Sequence, residues 1–320
     1  MNIKKIGMTA LAASLVSVSA NAGEMSISGA ASVGIGGYSA LAHNAGTSFT
    51  MGNQFTVSGG GELDNGLNIS LSYQLDNAAG VSGPFDDHSI TISSDEIGTI
   101  KFSGHGGSSA TSAMDATAAG DIWDGFDGAV TTNVTDGVTI GASGGENNSI
   151  YYTAPSMMDG LTINASYNPQ GANAESEIGY GVTYTGVEGL TLKYATMDEN
   201  TGTTATSGDQ TAWRIAYAIG PVTATVTQND YDMGTATNDK ETSSYNLAYT
   251  VSDEISISYG TEEIDAGSSS VDAEYSALVA SYTAGGMTVT AKRESAENVS
   301  LTTAAQEDVD YWFLGAVFAF

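Results

Sequence analysis

Hydrophobicity alternates with period two along almost the whole chain, and this pattern narrows the folds open to it more than any other feature. In residues 67–75, Leu67, Ile69, Leu71, Tyr73 and Leu75 alternate with Asn68, Ser70, Ser72 and Gln74. The same rhythm runs through Leu161, Ile163, Ala165 and Tyr167, through Leu190, Leu192 and Tyr194, through Trp213, Ile215 and Tyr217, and through Ile255, Ile257 and Tyr259. Alternation of this kind gives a strand one apolar and one polar face. Beyond the first 22 residues, no stripe of helical period reaches a useful length.

The connections between these segments fall into two classes. Tight ones use turn-forming residues: Asp64-Asn65-Gly66, Ser94-Asp95-Glu96, Val187-Glu188-Gly189, Gly220-Pro221, Ser252-Asp253-Glu254 and Ala284-Gly285-Gly286. The intervening ones are longer and polar, near 38–50, 76–87, 168–177, 196–211, 229–243, 263–272 and 295–308. Short turns on one edge and long polar loops on the other predict an all-β fold, a transmembrane antiparallel β-barrel of about sixteen strands. The expected strands are 24–37, 51–63, 67–75, 88–93, 98–104, 148–154, 161–167, 178–185, 190–195, 212–218, 222–228, 244–251, 255–262, 273–282, 287–294 and 309–320. An even number lets the last strand pair with the first, removing the open edge that a bilayer cannot tolerate.

Both ends of the chain agree with export to a membrane. Lys4 and Lys5 precede an apolar run from Ile6 to about Val18, and Ala20-Asn21-Ala22 supplies the small-x-small pattern of a cleavage site. Residues 1–22 therefore read as a cleaved signal peptide, and 23–320 as the barrel. At the other end, Trp312, Leu314, Ala316, Phe318 and Phe320 alternate to a C-terminal phenylalanine. Tyr184, Tyr217, Tyr249 and Tyr282 each stand just before a short turn on the apolar face, where aromatic side chains form a girdle at the lipid boundary.

Composition excludes several classes of function. The chain holds no Cys, so an exported protein with access to an oxidising compartment makes no use of disulfides. Asp and Glu total 37 against 8 Lys and Arg, a formal net charge of −29, and removal of a leader carrying Lys4 and Lys5 deepens it. A duplex-binding protein needs clustered cations for phosphates, so nucleic acid is not a partner. A negative lumen would instead concentrate cations, while a solvated acidic surface suited to saline surroundings accounts for the same charge. An enzyme of the lipase or protease kind would need a nucleophile with a general base. Only His43, His88 and His105 are present, and no Gly-x-Ser-x-Gly elbow occurs. The expectation is that the chain is not an enzyme. Three isolated histidines also lack the spacing of a zinc site, and no segment has the ordered acidic spacing of a dedicated calcium loop. No cofactor is expected beyond weak surface binding of divalent cations such as calcium by acidic loops near 227–239 or 263–272.

Three segments carry a resemblance. They are NQFTVSGGGELDNGLNISLSYQLD (53–76), HSITISSDEIGTIKFSGH (88–105) and NSIYYTAPSMMDGLTINASYNP (148–169). In order and spacing, and together with the terminal phenylalanine, they resemble the Gram-negative general porin family of trimeric, sixteen-stranded barrels. The resemblance implies an outer-membrane diffusion channel for small hydrophilic solutes and a homotrimer among outer-membrane lipids and lipopolysaccharide. It also implies a C-terminal signal at Phe318 and Phe320 read by the barrel-assembly machinery. Small outward residues such as Gly29, Ala31 and Gly59 would let neighbouring barrels approach closely.

The longest connection, 105–147, follows the second segment, and a structureless stretch of this length inside a compact fold points to function. By the resemblance, it folds into the barrel and narrows the pore. Asp115, Asp121, Asp124 and Asp127 would line the constriction, with Asp136 and Glu146 further along and Trp123 and Phe126 as anchors. On the facing wall the chain departs from the family. Gln54 stands where a wall arginine is usual, and Gly104-His105 stands where Gly-Arg is usual. Lys101, Lys193 and Arg214 lie between outward apolar residues and so face the lumen, since a charge facing lipid at mid-bilayer costs about 2–4 kcal/mol. The expected result is a cation-selective pore. The rival readings are a substrate-specific outer-membrane channel and a secreted β-rich surface protein or adhesin. The regular alternation of turns and loops and the aromatic terminus argue against the second rival.

Overall fold

The computed structural model describes residues 25–39, 46–76, 86–114, 117–126, 147–169, 176–200, 207–236, 239–267, 269, 271–299, 301 and 308–320. The expected signal peptide lies outside these residues. Sixteen strands follow one another: β1 Ser26–Tyr38, β2 Gly46–Glu62, β3 Asn68–Asp76, β4 Asp87–Ser94, β5 Gly98–His105, β6 Ser149–Thr153, β7 Leu161–Asn168 and β8 Glu177–Tyr184. The second half comprises β9 Leu190–Glu199, β10 Gly208–Ile219, β11 Val222–Met233, β12 Lys240–Thr250, β13 Ile255–Ala266, β14 Ala273–Ala284, β15 Met287–Glu297 and β16 Val309–Ala319. Each pairs antiparallel with its neighbours in sequence, and β1 pairs with β16, so the sheet is a closed barrel. Closure satisfies every strand edge internally, which a bilayer requires.

Side-chain alternation sorts the barrel into two surfaces. Phe49, Met51, Ile90, Ile215, Leu247, Tyr259, Leu278 and Leu314 are large, apolar and exposed on the outside. The buried residues sit inside, against the constriction loop: Phe126, Ile264, Tyr275, Ala277, Ala296, Val299 and Val309 form one cluster with Ile122. This inverts the arrangement of a water-soluble protein, as lipid outside and a polar lumen demand. Tyr184, Tyr217, Tyr249 and Tyr282 pair with Leu161, Leu190, Val222 and Ile255, each at the short-turn end of its strand. The four tyrosines thus share one level of the outer face.

Strand number and order agree with the sequence reading, and the differences lie at the long-loop end. Residues 46–50, 196–199, 208–211, 229–233, 240–243, 263–266 and 295–297, expected in loops, continue the ladders. Their outward positions hold Asp198, Asp209, Asp230, Asp232, Glu241, Glu263 and Asp265 instead of apolar residues, and pairs such as Asp209 with Asp232 and Glu241 with Asp265 stand directly opposite. These rungs rise past the lipid-facing belt. The apolar alternation that marks a strand in sequence stops there, while the hydrogen-bonded ladder does not.

Candidate functional site

The wall opens at His105, where β5 passes into the long loop. The loop closes at Asn148, whose amide donates to the Gly104 carbonyl at 3.3 Å. The described residues from Ala110 to Phe126 meet lumen-facing positions of the strands. The Ala110 amide donates to Ser166 Oγ of β7 at 2.9 Å, and the Thr111 hydroxyl donates to Met197 Sδ of β9 at 3.8 Å. A short 3-10 turn, Ser112–Met114, places Met114 on Ala195 and Ala212. The Ala118 and Ala119 amides then donate to Thr227 Oγ1 of β11 and Ser244 Oγ of β12, both at 2.9 Å. The wall offers small hydroxyl side chains at the heights where the loop presents unpaired amides, so backbone groups that leave the sheet still find acceptors.

Glu262 of β13 is the strongest of these anchors. It is buried and accepts the Thr117 hydroxyl on one carboxylate oxygen and the Trp123 amide, at 3.0 Å, on the other. A second 3-10 turn, Ile122–Phe126, follows. Phe126 is fully buried with its ring 5.8 Å from that of Tyr275 and 6.2 Å from that of Tyr38, and the Tyr38 hydroxyl donates to the Gly125 carbonyl. The described part of the loop therefore lies inside the barrel, along the wall from β7 through β15 and across to β1. The lumen-facing residues of β2 to β5 form the stretch of wall across from it.

Between the anchors the chain makes a tight turn. The Thr117 amide donates to Asp121 Oδ1 and the Asp121 amide to Thr117 Oγ1, both at 2.9 Å. Asp121 has φ of 56°, a left-handed conformation that aspartate tolerates better than most residues. Burial pushes its carboxyl above the usual carboxylate range, against the hydrogen bonds from Thr117 and with the charge of Asp124 adding to the rise. Asp124 itself is exposed. Asp115 and Asp127 lie outside the described residues.

The expected wall residues separate into two groups. Gln54 and Lys101 face the lumen on the stretch across from the loop, Gln54 between Ala30 and Asp76, and Lys101 between Thr91 and Tyr151. His105 stands at the root of the loop with Nδ1 3.5 Å from Asp87 Oδ1. Lys193 and Arg214 are direct cross-strand partners, two residues closer to the short-turn end than Ala195 and Ala212. They face the lumen as parity predicts, but beneath the loop on its own side, where Arg214 feels the charge of Asp121. Phe318 and Phe320 project from the outer face.

Sequence reasoning missed three lumen groups. Lys292 lies 2.8 Å from Glu294 Oε1, with its ammonium 5.6 Å from the Tyr311 ring centre and 5.8 Å from that of Phe313. It shares the inward parity of Lys101 within its strand, but its neighbours Ala291 and Arg293 are not the apolar pair that flanks Lys101. Glu262 shares that parity, but nothing local marks it as the partner of a segment more than a hundred residues earlier. Buried Glu199, with the Gln210 amide group at 2.8 Å and the Tyr231 hydroxyl donating to it, was hidden in a stretch assigned to a loop.

Residues 7–291 match the family model described as Gram-negative porin. The chain belongs to the Gram-negative porin family. This porin is an outer-membrane β-barrel, and its fold is shared by solved porin structures of low sequence identity. One is an anion-selective porin from Comamonas acidovorans, with a TM-score of 0.68, 15% identity, and 93% of this chain and 99% of that chain covered. Another is a triple mutant of Rhodopseudomonas blastica porin, with a TM-score of 0.64, 15% identity, and 93% and 100% covered. No curated protein sequence matches the porin significantly. The identities are low enough that the likeness carries the barrel and not the chemistry of its lumen.

Proposed function

We propose that this porin is a cation-selective diffusion channel for small hydrophilic solutes, with its narrowest section between the loop around Asp124 and the wall of β2 to β5. The observation that carries the reading is the mismatch of charge across that section. Asp124 is exposed on the loop, while the facing wall presents Gln54, and Lys101 is its only cation of permanent charge. Beneath the loop, Lys193 and Arg214 lie on the same side as the carboxylates, so Asp121 and Arg214 offset each other locally and do not face each other across the opening. A negative, low-dielectric lumen raises the local concentration of cations, and salt screens the effect over a Debye length of about 10 Å at 0.1 M. The Comamonas porin is anion-selective, and a shared barrel does not transmit that property, because selectivity resides in side chains that the fold leaves free to vary.

Planar-bilayer recording of the refolded porin in a salt gradient tests the proposal. The zero-current potential should carry the sign of cation preference at low salt and shrink as ionic strength rises. Anion preference at low salt would overturn it. We further assign a homotrimeric state, supported by the resemblance to trimeric porins and by Ala31 and Gly59 on the outer face of β1 and β2, where adjacent barrels pack closely; Gly29 is covered instead by the Phe320 ring of its own chain. Detergent-corrected sedimentation giving only monomers would overturn that assignment.

A further inference from the structure

The pairing of β4 with β5 is irregular at His88 and Ser89, where a bulge shifts the register. Just beyond it, at the end of the β4–β5 hairpin away from its tight turn, three side chains meet: Asp86, Asp87 and His105 present ligand atoms that all lie within 4.8 Å of one another. They are separated along the chain and are joined only by the strand pairing, which is why histidine spacing in the sequence gave no sign of them. The arrangement is a convergence of acceptors. His105 Nδ1 is cut off from solvent and makes no hydrogen bond. Its nearest carboxylate oxygen, on Asp87, is 3.5 Å away, beyond the 2.7–3.2 Å of an N–H···O bond.

The local backbone holds these groups in place. Gly106, with φ of 63°, follows His105 directly, and a β-carbon there would fall onto the Asp87 carboxylate. Only glycine lets the chain leave β5 with Asp87 lying over it. The His88 ring covers Gly104 in the same way, and no atom of His88 belongs to the cluster.

We infer that Asp86, Asp87 and His105 bind a first-row divalent transition-metal ion at the root of the constriction loop. One imidazole nitrogen and two carboxylates form a ligand set of borderline hardness that suits zinc and its neighbours better than calcium, which takes six to eight oxygens. Two ligands on a tetrahedral zinc, each about 2.0–2.1 Å from the metal, stand about 3.3 Å apart. The His105–Asp87 separation of 3.5 Å is close to that value, and the Asp86 ligand atom lies within 4.8 Å of both. The remaining coordination positions open to the lumen and take water. Occupancy would join β4 to the first residue of the loop. It would also place a double positive charge on the stretch of wall that holds Gln54 in place of the family's arginine.

The experiment uses the refolded full-length barrel in detergent with excess Mg2+, which saturates weak acidic sites, and titrates Zn2+ by calorimetry and Co2+ by its visible d–d absorption. Saturable binding of one ion per chain is expected, with affinity lowered at least tenfold in His105→Gln and in Asp87→Asn and unchanged in His88→Gln. Resistance to SDS before heating shows that each variant is folded, and Asp86→Asn stands in for either variant that is not. Absence of saturable binding, or equal binding in His105→Gln and the parent, overturns the site. A second arm adds Zn2+ to the bilayer recording and expects the zero-current potential to move toward zero in the parent and not in His105→Gln. That arm rests on the proposed cation preference. The calorimetry does not, so failure of one reading is distinguishable from failure of the other.

Discussion

Phe320 and Gly29 exchange both backbone hydrogen bonds across the closing seam of the barrel, at 2.9 and 3.0 Å, and the Phe320 ring occupies the space a β-carbon on Gly29 would need, 2.6 Å from Cζ. The terminal residue is thus the last rung of the ladder joining β16 to β1, and its ring is seated on the first strand. Whatever role the terminal aromatic has in delivery to the membrane, it has a structural one as well.

Gly29→Val is therefore expected to displace the Phe320 ring and destabilise the folded barrel by about 1–3 kcal/mol, the usual cost of forcing bulk into a packed position. The shift between folded and unfolded mobility on SDS gels should occur at a lower temperature than in the parent. Gly59→Val, on the same outward face but with nothing closer than 3.9 Å to the space of a β-carbon, serves as the comparison.

Glu262→Ala removes the acceptor of both the Thr117 hydroxyl and the Trp123 amide. Each donor left unpaired in a buried place costs about 1–3 kcal/mol, enough to loosen one section of the loop without unfolding the barrel. Protease cleavage within 105–147 should become faster and open-channel noise should rise, while resistance of the barrel to SDS persists. Glu262→Gln keeps one oxygen acceptor and should fall between the two.

The barrel was legible because lipid and water impose the period-two pattern directly on every spanning strand. That pattern located all sixteen strands, yet it stopped short at Asp198, Asp230, Glu241 and Glu263, where the strands rise beyond lipid and alternation no longer has a physical cause. The site was legible only as far as parity reaches. Parity assigns Gln54, Lys101, Lys193 and Arg214 to the polar face, but which side of the lumen each occupies depends on the path of the loop. That path is set by scattered hydroxyls such as Ser166, Thr227 and Ser244 and by Glu262, none of which differs locally from other polar strand residues. The meeting of Asp86, Asp87 and His105 depends on strand register and a bulge, which hydrophobic patterning does not encode.

Acidification should act on the loop through Asp121 before it acts through exposed carboxylates. Burial raises the pKa of Asp121 when folded, so the folded loop holds that proton more tightly than the unfolded chain does. The stability this contributes is fully present below the ordinary carboxylate range and is lost as pH rises through the raised value. Asp121→Asn keeps the Oδ1 acceptor for the Thr117 amide and removes the titration. Loop protease resistance measured from pH 7 down to pH 4 should increase more in the parent than in this variant. Equal changes in both would show that other carboxylates carry the effect.

Selectivity should respond to charge at the constriction and ignore charge outside the barrel. Asp124→Asn removes an exposed loop carboxylate, so cation preference should fall, and the combined change of Asp121, Asp124 and Asp127 to Asn should bring the zero-current potential closest to zero. Lys101→Gln removes a cation from the facing wall and should move the potential in the opposite direction. Asp198 and Asp265 stand on outward positions of β9 and β13, opposite Asp209 and Glu241, separated from the lumen by the sheet itself. Their Asn variants should leave the potential within error of the parent, although each removes the same unit of charge as Asp124→Asn. The contrast matters because net charge changes equally in all three single carboxylate variants. If Asp198→Asn lowered cation preference as much as Asp124→Asn, the acidity of the chain would be acting through the whole surface, and the constriction would have no special part in it. If only the loop and wall variants respond, in opposite directions, the preference is set by the few side chains that face each other across the narrowest section.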